Sequence, residues 1–391
     1  MKNQTKAIHT PFARKDPFGA ISMPVYNTVA YEFDNASEMS DAFCYRIASP
    51  DYSRAENPTV SYFEDKVKAI TGAHDVIALN SGMAAISNVL LAIAAAGKNI
   101  VSSRHMFGNT YALINGTLSR FGVTTKLCDL TNHEEVERMV DEHSCCIFLE
   151  TLTNPQLEVA DLGQLARIAH AHHIPLIADS TMIPFTENHL KDLGVDIEVL
   201  SSTKYISGGA TSLGGLIIDY GTVKDFNLTI RREMLLSFGA YMTPQVAYMQ
   251  SVGLENLNAR YRLQASNALE VAKRLREIPQ VKRVNYVGLE DNPYHELSVK
   301  QFGPTAGCML TIDLESKEAC YKWLDNLKLI RRATNLFDNK TLAIHTASTI
   351  FGGFSDELRR SMDLRDTTIR LSVGLEDVDD IMEDARQAFE S

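Results

Sequence analysis

Hydrophobic and polar residues alternate along most of the chain in blocks that predict strands followed by helices. From residue 62 onward, short apolar runs typical of buried strands alternate with longer segments of helical periodicity. The runs that predict the clearest strands are 76–79, 145–149, 174–178, 197–200 and 216–218. This alternation indicates an α/β fold with a mostly parallel sheet in a large domain.

The chain has 391 residues, more than one hydrophobic core usually serves. Residues 1–60 carry several turn-forming prolines and little periodicity, which predicts an N-terminal arm that contacts a neighbouring subunit. We assign residues 61–255 to the large domain. A helical segment near 256–278, strands near 281–286 and 308–314, and a last helix near 378–390 predict a smaller C-terminal α+β domain over 256–391.

Composition and charge narrow the possible functions. The 49 acidic residues exceed the 38 basic ones and give a net charge of −11, which argues against a nucleic-acid-binding protein. No apolar run is long enough to span a membrane, and the first 14 residues lack the apolar run of an export signal, so we expect a cytoplasmic protein. The six scattered cysteines predict reduced thiols, and the histidines at 170, 172 and 173 lack partners at metal-binding spacing, so no metal site is predicted.

One lysine follows three hydroxyl residues at the end of a predicted strand. Lys204 comes directly after the sequence SST at 201–203 and precedes two glycine pairs. A desolvated lysine with a lowered pKa can form a Schiff base with an aldehyde cofactor, while adjacent hydroxyls bind its phosphate. A surface lysine in a turn is the alternative, and this motif by itself leaves both open.

Two other strand ends carry groups that suit the same cofactor. A carboxylate at the position of Asp179 can keep the pyridine nitrogen of pyridoxal phosphate protonated, which makes the ring an electron sink. The segment Ser81-Gly82-Met83 separates a strand from a helix, where backbone N–H groups bind phosphate. Ordinary helix caps would explain Asp179 and Ser81 equally well. Because ligands of open α/β sheets bind at the carboxyl ends of strands, we predict one shared site for this cofactor.

Short motifs along nearly the whole chain carry a family resemblance. They are GAI at 19–21, PVYNT at 24–28, YSRAENPT at 52–59, SGM at 81–83, ET at 150–151, NP at 154–155, Asp179, SSTKY at 201–205, HTAS at 345–348 and IRLSVGLE at 369–376. With these motifs the chain resembles the Cys/Met-metabolism (transsulfuration) family of pyridoxal-phosphate enzymes. Residues 334–335, 338–345 and 347–349 look most like those of the O-acetylhomoserine sulfhydrylases. The resemblance implies fold type I, the aspartate-aminotransferase-like fold.

The resemblance also implies roles for individual residues at the cofactor. Lys204 is implied as the Schiff-base lysine and proton carrier, Asp179 as the partner of the ring nitrogen, and Phe107 as the aromatic ring stacked on the cofactor. The resemblance also implies that six further residues bind the cofactor: Ser81, Gly82, Met83, Asn154, Ser201 and Thr203.

Further implied roles concern the substrate and the oligomer. Arg370 matches the residue that binds the substrate carboxylate, a task suited to a guanidinium fork, and Asn335 is expected to contact the substrate. Tyr52 and Arg54 match residues that reach the phosphate in the adjacent subunit. We therefore expect a homo-oligomer whose dimer is the catalytic unit, with dimers paired into a tetramer.

We expect the substrate to be a small amino acid. Two departures from the family pattern indicate which one. Phe107 stands where most family lyases and synthases have Tyr, and Asn335 stands in place of a Ser. Loss of the Tyr hydroxyl favours a good leaving group such as a carboxylate. The sequence therefore predicts γ-replacement on O-acylhomoserine by sulfide to give homocysteine. The alternatives are a C–S lyase (methionine γ-lyase or cystathionine γ/β-lyase), a cystathionine γ-synthase or, in a different class, a non-catalytic binding protein for pyridoxal phosphate or amino acids.

Overall fold

The computed structural model describes residues 1–185 and 189–390. In these ranges the helices are α1 (Asn3–His9), α2 (Ala36–Phe43), α3 (Pro58–Thr71), α4 (Gly82–Ile93), α5 (Gly108–Ala112), α6 (His133–Met139), α7 (Leu162–Ala171), α8 (Phe226–Thr229), α9 (Leu236–Phe238), α10 (Pro244–Glu255), α11 (Leu257–Leu275), α12 (His295–Phe302), α13 (Lys317–Asn326), α14 (Asp356–Ser361) and α15 (Val378–Glu390). The strands are β1 (Asp75–Leu79), β2 (Asn99–Ser103), β3 (Thr124–Cys128), β4 (Ser144–Glu150), β5 (Leu176–Asp179), β6 (Ile197–Leu200), β7 (Gly215–Asp219), β8 (Arg283–Asn285), β9 (Met309–Asp313), β10 (Arg331–Arg332), β11 (Leu342–His345) and β12 (Thr368–Ser372).

A seven-stranded sheet forms the centre of the first part of the chain. Its strand order is β1-β7-β6-β5-β4-β2-β3, and β7 is the one strand that runs antiparallel to its neighbours β6 and β1. Every residue of β2, β4, β5, β6 and β7 is buried, because helices cover both faces of such a sheet. The structure confirms the α/β fold with a mostly parallel sheet.

A second, smaller sheet is formed by strands that lie after the long helix α11. Its order is β10-β11-β12-β9-β8, mostly antiparallel, with β10 and β11 parallel. Helix α15 packs against this part of the chain, where the indole N–H of Trp323 donates to the carbonyl of Ala385 at 2.9 Å. The two sheets thus draw their strands from either side of residue 256. The domain boundaries at 60 and 255 stay predictions.

The N-terminal segment is less uniformly extended than its sequence suggests. Helix α1 buries Ala7, and the side chain of Gln4 donates to the carbonyl of Glu255 at 2.8 Å. The ring of Phe12 packs edge-on against Tyr62, with ring centres 4.9 Å apart. The first dozen residues therefore dock on helices α3 and α10 of the same chain. Several apolar side chains farther along remain exposed, among them Phe18 and Ile21 at 95% and 97%.

Helix α3 shows how local sequence sets the boundaries of an element. Asn57 caps its start, since the Asn57 side chain accepts from the N–H of Thr59 at 3.0 Å, and Pro58 occupies the first turn where its missing N–H costs nothing. The helix ends at Gly72, whose φ of +66° favours glycine. The chain then turns directly into β1, the strand whose carboxyl end leads into the cavity described next.

Candidate active site

The carboxyl ends of β1, β4, β5 and β6 open into one cavity of about 450 Å³. Strands that run in parallel bring the residues after them to the same edge of the sheet. Residues from the second part of the chain close the opposite side. The cavity lining includes these residues predicted from sequence: Ser81, Gly82, Met83, Phe107, Asn154, Asp179, Ser201, Thr203, Lys204 and Arg370.

One end of the cavity is suited to an anion. Helix α4 begins there, capped by Ser81, whose hydroxyl accepts from the N–H of Ala84 at 3.1 Å. The first N–H groups of a helix lack partners within the helix and attract phosphate. Ser201 lies so close that a Cβ atom on Gly82 would be 2.6 Å from its Cβ, an approach that requires glycine. Thr203 adds a hydroxyl, held by the N–H of Gly214 at 2.9 Å.

Asp179 lies deep in the cavity as the last residue of β5. Its side chain is buried, and its Oδ1 accepts from the N–H of Thr181 at 2.8 Å. Burial raises the pKa of this carboxyl to about 6, while the hydrogen bonds from Thr181 oppose that rise. A buried carboxylate with spare acceptor capacity stabilises a cation such as a protonated ring nitrogen.

Lys204 extends into the cavity from the turn after β6. Its Nζ donates to Oδ1 of Asn335 at 2.8 Å. Desolvation and the nearby guanidinium of Arg370 lower the pKa of this lysine to about 8, although the carboxyl of Asp338 opposes them. A lysine with a lowered pKa holds a larger fraction of free amine at neutral pH, which is the reactive form.

Arg370 is the buried cation of the site. It extends from β12, and its Nη1 donates to Oδ1 of Asn154 at 3.2 Å. Its Nη2 donates to the backbone carbonyls of Thr334 and Asn335 at 3.1 and 3.2 Å. Nε is buried without a hydrogen-bond partner in the described structure. A buried guanidinium with an unsatisfied donor at a cavity wall is suited to a carboxylate ligand.

Three predicted site residues lie outside the cavity lining. Asn335 sits behind it and reaches Lys204. Tyr52 is exposed, and the guanidinium of Arg54 lies 5.4 Å from its ring centre. Arg54 also donates to the carbonyl of Leu236. Within this chain, Tyr52 and Arg54 therefore do not contact the cavity that holds Lys204.

Two residues outside the predicted set of site residues also line the cavity. The hydroxyl of Thr181 accepts from the N–H of Ser201 at 2.8 Å, so Thr181 links Asp179 to the anion-binding end. The sequence signal that indicates Thr181 is the Asp residue two positions before it, because an Asp side chain often accepts from the backbone N–H two residues later in a turn. Glu150, at the end of β4, lines the cavity between Phe107 and Asn154.

The described residues contain neither a metal-binding cluster nor a membrane-spanning helix. Over residues 1–185 and 189–390, no group of three or more His, Cys, Asp or Glu side chains is arranged to hold a metal ion. None of the helices in the described part of the chain is both long enough and apolar enough to cross a membrane. All six cysteines are free thiols, and only Cys44 is exposed.

Comparison with known proteins places the chain in a family. Residues 4–390 match the family described as Cys/Met metabolism PLP-dependent enzyme. An L-methionine gamma-lyase from Fusobacterium nucleatum is 36% identical over 390 residues, which cover 99% of this chain and 97% of the relative. An O-acetyl-L-homoserine sulfhydrylase from Corynebacterium glutamicum is 30% identical over 420 aligned positions, covering 99% of this chain and 96% of the relative.

A solved structure agrees with these relatives. A crystal structure of a Campylobacter jejuni protein described as a putative O-acetylhomoserine (thiol)-lyase, with a pyridoxyl-lysine monophosphate, superimposes with a TM-score of 0.96. The two chains are 32% identical and cover each other completely. Fold and cavity together define a fold-type-I enzyme dependent on pyridoxal phosphate.

The chain belongs to the Cys/Met metabolism family of pyridoxal-phosphate enzymes. The cavity fits this cofactor by its own chemistry. The start of α4 with the hydroxyls of Ser201 and Thr203 suits the phosphate, the buried carboxyl of Asp179 suits the ring nitrogen, and the amine of Lys204 suits the aldehyde.

Proposed function

We propose that this enzyme exchanges the acyl group of an O-acylhomoserine for sulfide and so produces homocysteine. Two relatives support this activity: the C. glutamicum O-acetyl-L-homoserine sulfhydrylase and a homocysteine/cysteine synthase from Saccharomyces cerevisiae that is 31% identical. The Campylobacter structure, described as an O-acetylhomoserine (thiol)-lyase, supports it as well.

The chemistry of the cavity lining carries the proposal. Among the described residues of its own chain, no phenol, imidazole or thiol lines the cavity, and Phe107 presents a plain ring. The phenol of Tyr52 from a second copy is expected at the phosphate and not beside the leaving group. Expelling a thiolate, a poor leaving group, benefits from an acid placed beside it. A carboxylate such as acetate leaves without a proton. The lining therefore favours an acyl ester over methionine or cystathionine as substrate.

In the proposed reaction, the cofactor and each of three residues have a separate role. When bound, pyridoxal phosphate supplies an electron sink that makes the substrate Cα proton acidic. Lys204 Nζ removes that proton and moves protons to and from Cβ. Arg370 binds the substrate carboxylate, and Asp179 holds the proton on the ring nitrogen. The Cγ–O bond then breaks with its electron pair on the departing carboxylate, and the electron pair of sulfide forms the new Cγ–S bond.

The remaining predicted residues hold the cofactor in place. Phe107 stacks on the ring, Asn154 faces the ring hydroxyl, and a set of backbone and hydroxyl groups binds the phosphate: Ser81, Gly82, Met83, Ser201 and Thr203. Asn335 acts on the substrate side through its hydrogen bond with Lys204.

We propose a dimer as the catalytic unit, with dimers paired into a tetramer. Tyr52 and Arg54 do not line the cavity of their own chain, and Tyr52 is exposed. Exposed apolar residues extend over the same N-terminal region, including Phe18, Ile21 and Val29. A second copy that covers this region would bury those residues and bring Tyr52 and Arg54 to the neighbouring cavity. The cytoplasmic location expected from the composition remains a prediction.

A C–S lyase is the second candidate function. The observation in its favour is the F. nucleatum L-methionine gamma-lyase, whose 36% identity exceeds that of the sulfhydrylase relatives reported above. Elimination follows the same path until sulfide would add, and then one water hydrolyses the four-carbon product to 2-oxobutanoate and ammonia. A cystathionine γ-synthase differs only in the incoming thiol, and a non-catalytic binding protein would bind the cofactor without turnover.

One assay separates γ-replacement by sulfide from elimination. Purified holoenzyme is incubated with O-acetylhomoserine or O-succinylhomoserine, with and without sulfide, and homocysteine and 2-oxobutanoate are quantified. Sulfide-dependent homocysteine as the main product is the expected result, and the two esters reveal the preferred acyl group. Oxobutanoate as the main product in the presence of sulfide would favour the lyase, and no product from either ester would exclude the proposal.

A further inference from the structure

A buried carboxylate that has no place in the proposed chemistry lines the cavity. Glu150 is the last residue of β4, paired in register with Asp179 of β5, and its side chain is only 7% exposed. A carboxyl in such a place is costly unless its oxygens are hydrogen-bonded. The partners of these oxygens therefore indicate what Glu150 does.

The two oxygens of Glu150 accept from two different loops. The N–H of Phe107, in the loop after β2, donates to Oε1 at 2.6 Å. The N–H of Asn154, in the loop after β4, donates to Oε2 at 3.2 Å. The side chains of Phe107 and Asn154 both face the cavity. The carboxyl of Glu150 therefore links the backbones of these two residues.

The connection continues to the substrate side. Oδ1 of Asn154 accepts from Nη1 of Arg370 at 3.2 Å. Glu150, Asn154 and Arg370 thus form a continuous hydrogen-bonded chain from β4 to β12. A shift of the Asn154 backbone would move the amide that orients the guanidinium.

We propose that Glu150 is a positioning residue that fixes the Phe107 ring and the Asn154 side chain relative to each other, and thereby orients the cofactor ring and Arg370. Both partners are N–H donors, and each of the two carboxyl oxygens of Glu150 accepts from one of them. Burial and the neighbouring Asp179 raise the pKa of Glu150 to about 8, in accord with its enclosure beside a second acid. The proposal rests on the cofactor site and not on which thiol or ester the enzyme uses.

The test is the variant Glu150→Gln, which keeps the shape but turns one acceptor into an NH₂ group that faces a donor. The full chain is stripped of cofactor and titrated with pyridoxal phosphate. We expect the Kd for the cofactor to rise about tenfold, equivalent to about 1.4 kcal/mol, and the visible circular dichroism of the bound cofactor to change. We also expect KM for the amino-acid substrate to rise, because Arg370 loses its orientation. The factor by which KM rises should exceed the factor by which kcat falls.

Glu198→Gln is the matched control. Glu198 is a fully buried carboxyl on β6, but it accepts from the hydroxyls of Ser180 and Tyr220 and does not line the cavity. Hydroxyls can rotate to satisfy an amide. We expect this variant to leave the cofactor Kd and circular dichroism unchanged. Thermal unfolding of both cofactor-free variants shows whether general stability differs.

Equal changes of cofactor Kd and circular dichroism in the two variants would overturn the proposal, as would unchanged values in Glu150→Gln. Should Glu150→Gln fail to fold, Glu150→Asp replaces it: the shorter side chain keeps the charge but cannot reach both loops, and the same weakening is expected. Cofactor titration needs no substrate, so its result is independent of the sulfhydrylase assay.

Discussion

The Nζ atom of Lys204 donates a hydrogen bond to Oδ1 of Asn335 at 2.8 Å, and Nδ2 of Asn335 donates in turn to Oδ2 of Asp338 at 3.3 Å. The lysine from the first sheet is therefore held by a loop of the second part of the chain. Asp338 is buried behind Asn335 and stabilises the charged lysine. This arrangement leads us to propose that Asn335 orients the amine of Lys204.

Asn335→Ala should slow the proton transfers that Lys204 performs. A hydrogen bond to a charged group is worth about 1.5 to 3 kcal/mol, so we expect kcat to fall by about 10- to 100-fold while the enzyme keeps its cofactor. Steady-state kinetics and the cofactor content of the purified variant measure both quantities. A kcat within twofold of the parent enzyme would show that Asn335 does not position the lysine.

Replacing Arg370 should raise the pKa of Lys204 in the cofactor-free protein. Desolvation and, after it, the positive charge of Arg370 lower the lysine pKa to about 8, so Arg370→Met removes the second of these two causes. In the parent protein the reactive amine appears as pH rises through about 8. In the variant this rise should occur at higher pH. The rate at which an amine-selective reagent labels Lys204, followed against pH by mass spectrometry, measures the shift, and identical profiles would contradict it.

Arg231 should matter far more for stability than its neighbour Arg232. Arg231 donates to Asp75 at 2.8 Å and to Glu64 at 3.1 Å, both largely buried, whereas Arg232 lies on the surface, 4.0 Å from the ring of Tyr45. Arg231→Met leaves two carboxylates without their cation and should cost about 3 kcal/mol. Arg232→Met should cost less than about 1 kcal/mol. Urea unfolding of the cofactor-free variants compares them, and equal losses would refute the assignment.

Site sharing between subunits can be tested by mixing two impaired variants at a cofactor concentration too low to saturate Arg54→Ala. Arg54→Ala should weaken cofactor retention, and Lys204→Ala should abolish turnover along with the visible absorbance of the bound cofactor. If one chain supplies Arg54 to the cavity of the other, hybrid dimers contain one intact site and regain activity up to about half of the parent value per such dimer. Subunit exchange is verified with differently tagged chains. Subunit exchange without recovery of activity would indicate that Arg54 acts in the cavity of its own subunit.

The cofactor side of the site could be predicted largely from sequence. Asp179 and Lys204 directly follow apolar strands, and a parallel sheet brings such residues to one edge. The bond between Lys204 and Asn335 could not be predicted, because it depends on how the second sheet meets the first. Glu150 was visible as a strand end, but its partners depend on loop conformations that no local pattern specifies. The docking of Phe12 on Tyr62 likewise joins segments far apart in the chain.

The most direct test of the proposed function compares two substrates on one enzyme preparation. The quantity is kcat/KM for homocysteine formation from O-acylhomoserine with saturating sulfide, divided by kcat/KM for elimination from L-methionine. Because Phe107 and the other described lining residues of the same chain offer no phenol, imidazole or thiol to protonate a leaving thiolate, and Tyr52 of a second copy is expected at the phosphate, we expect a ratio above about ten, equivalent to more than about 1.4 kcal/mol of transition-state stabilisation. A ratio below one would contradict the account and identify the enzyme as a C–S lyase.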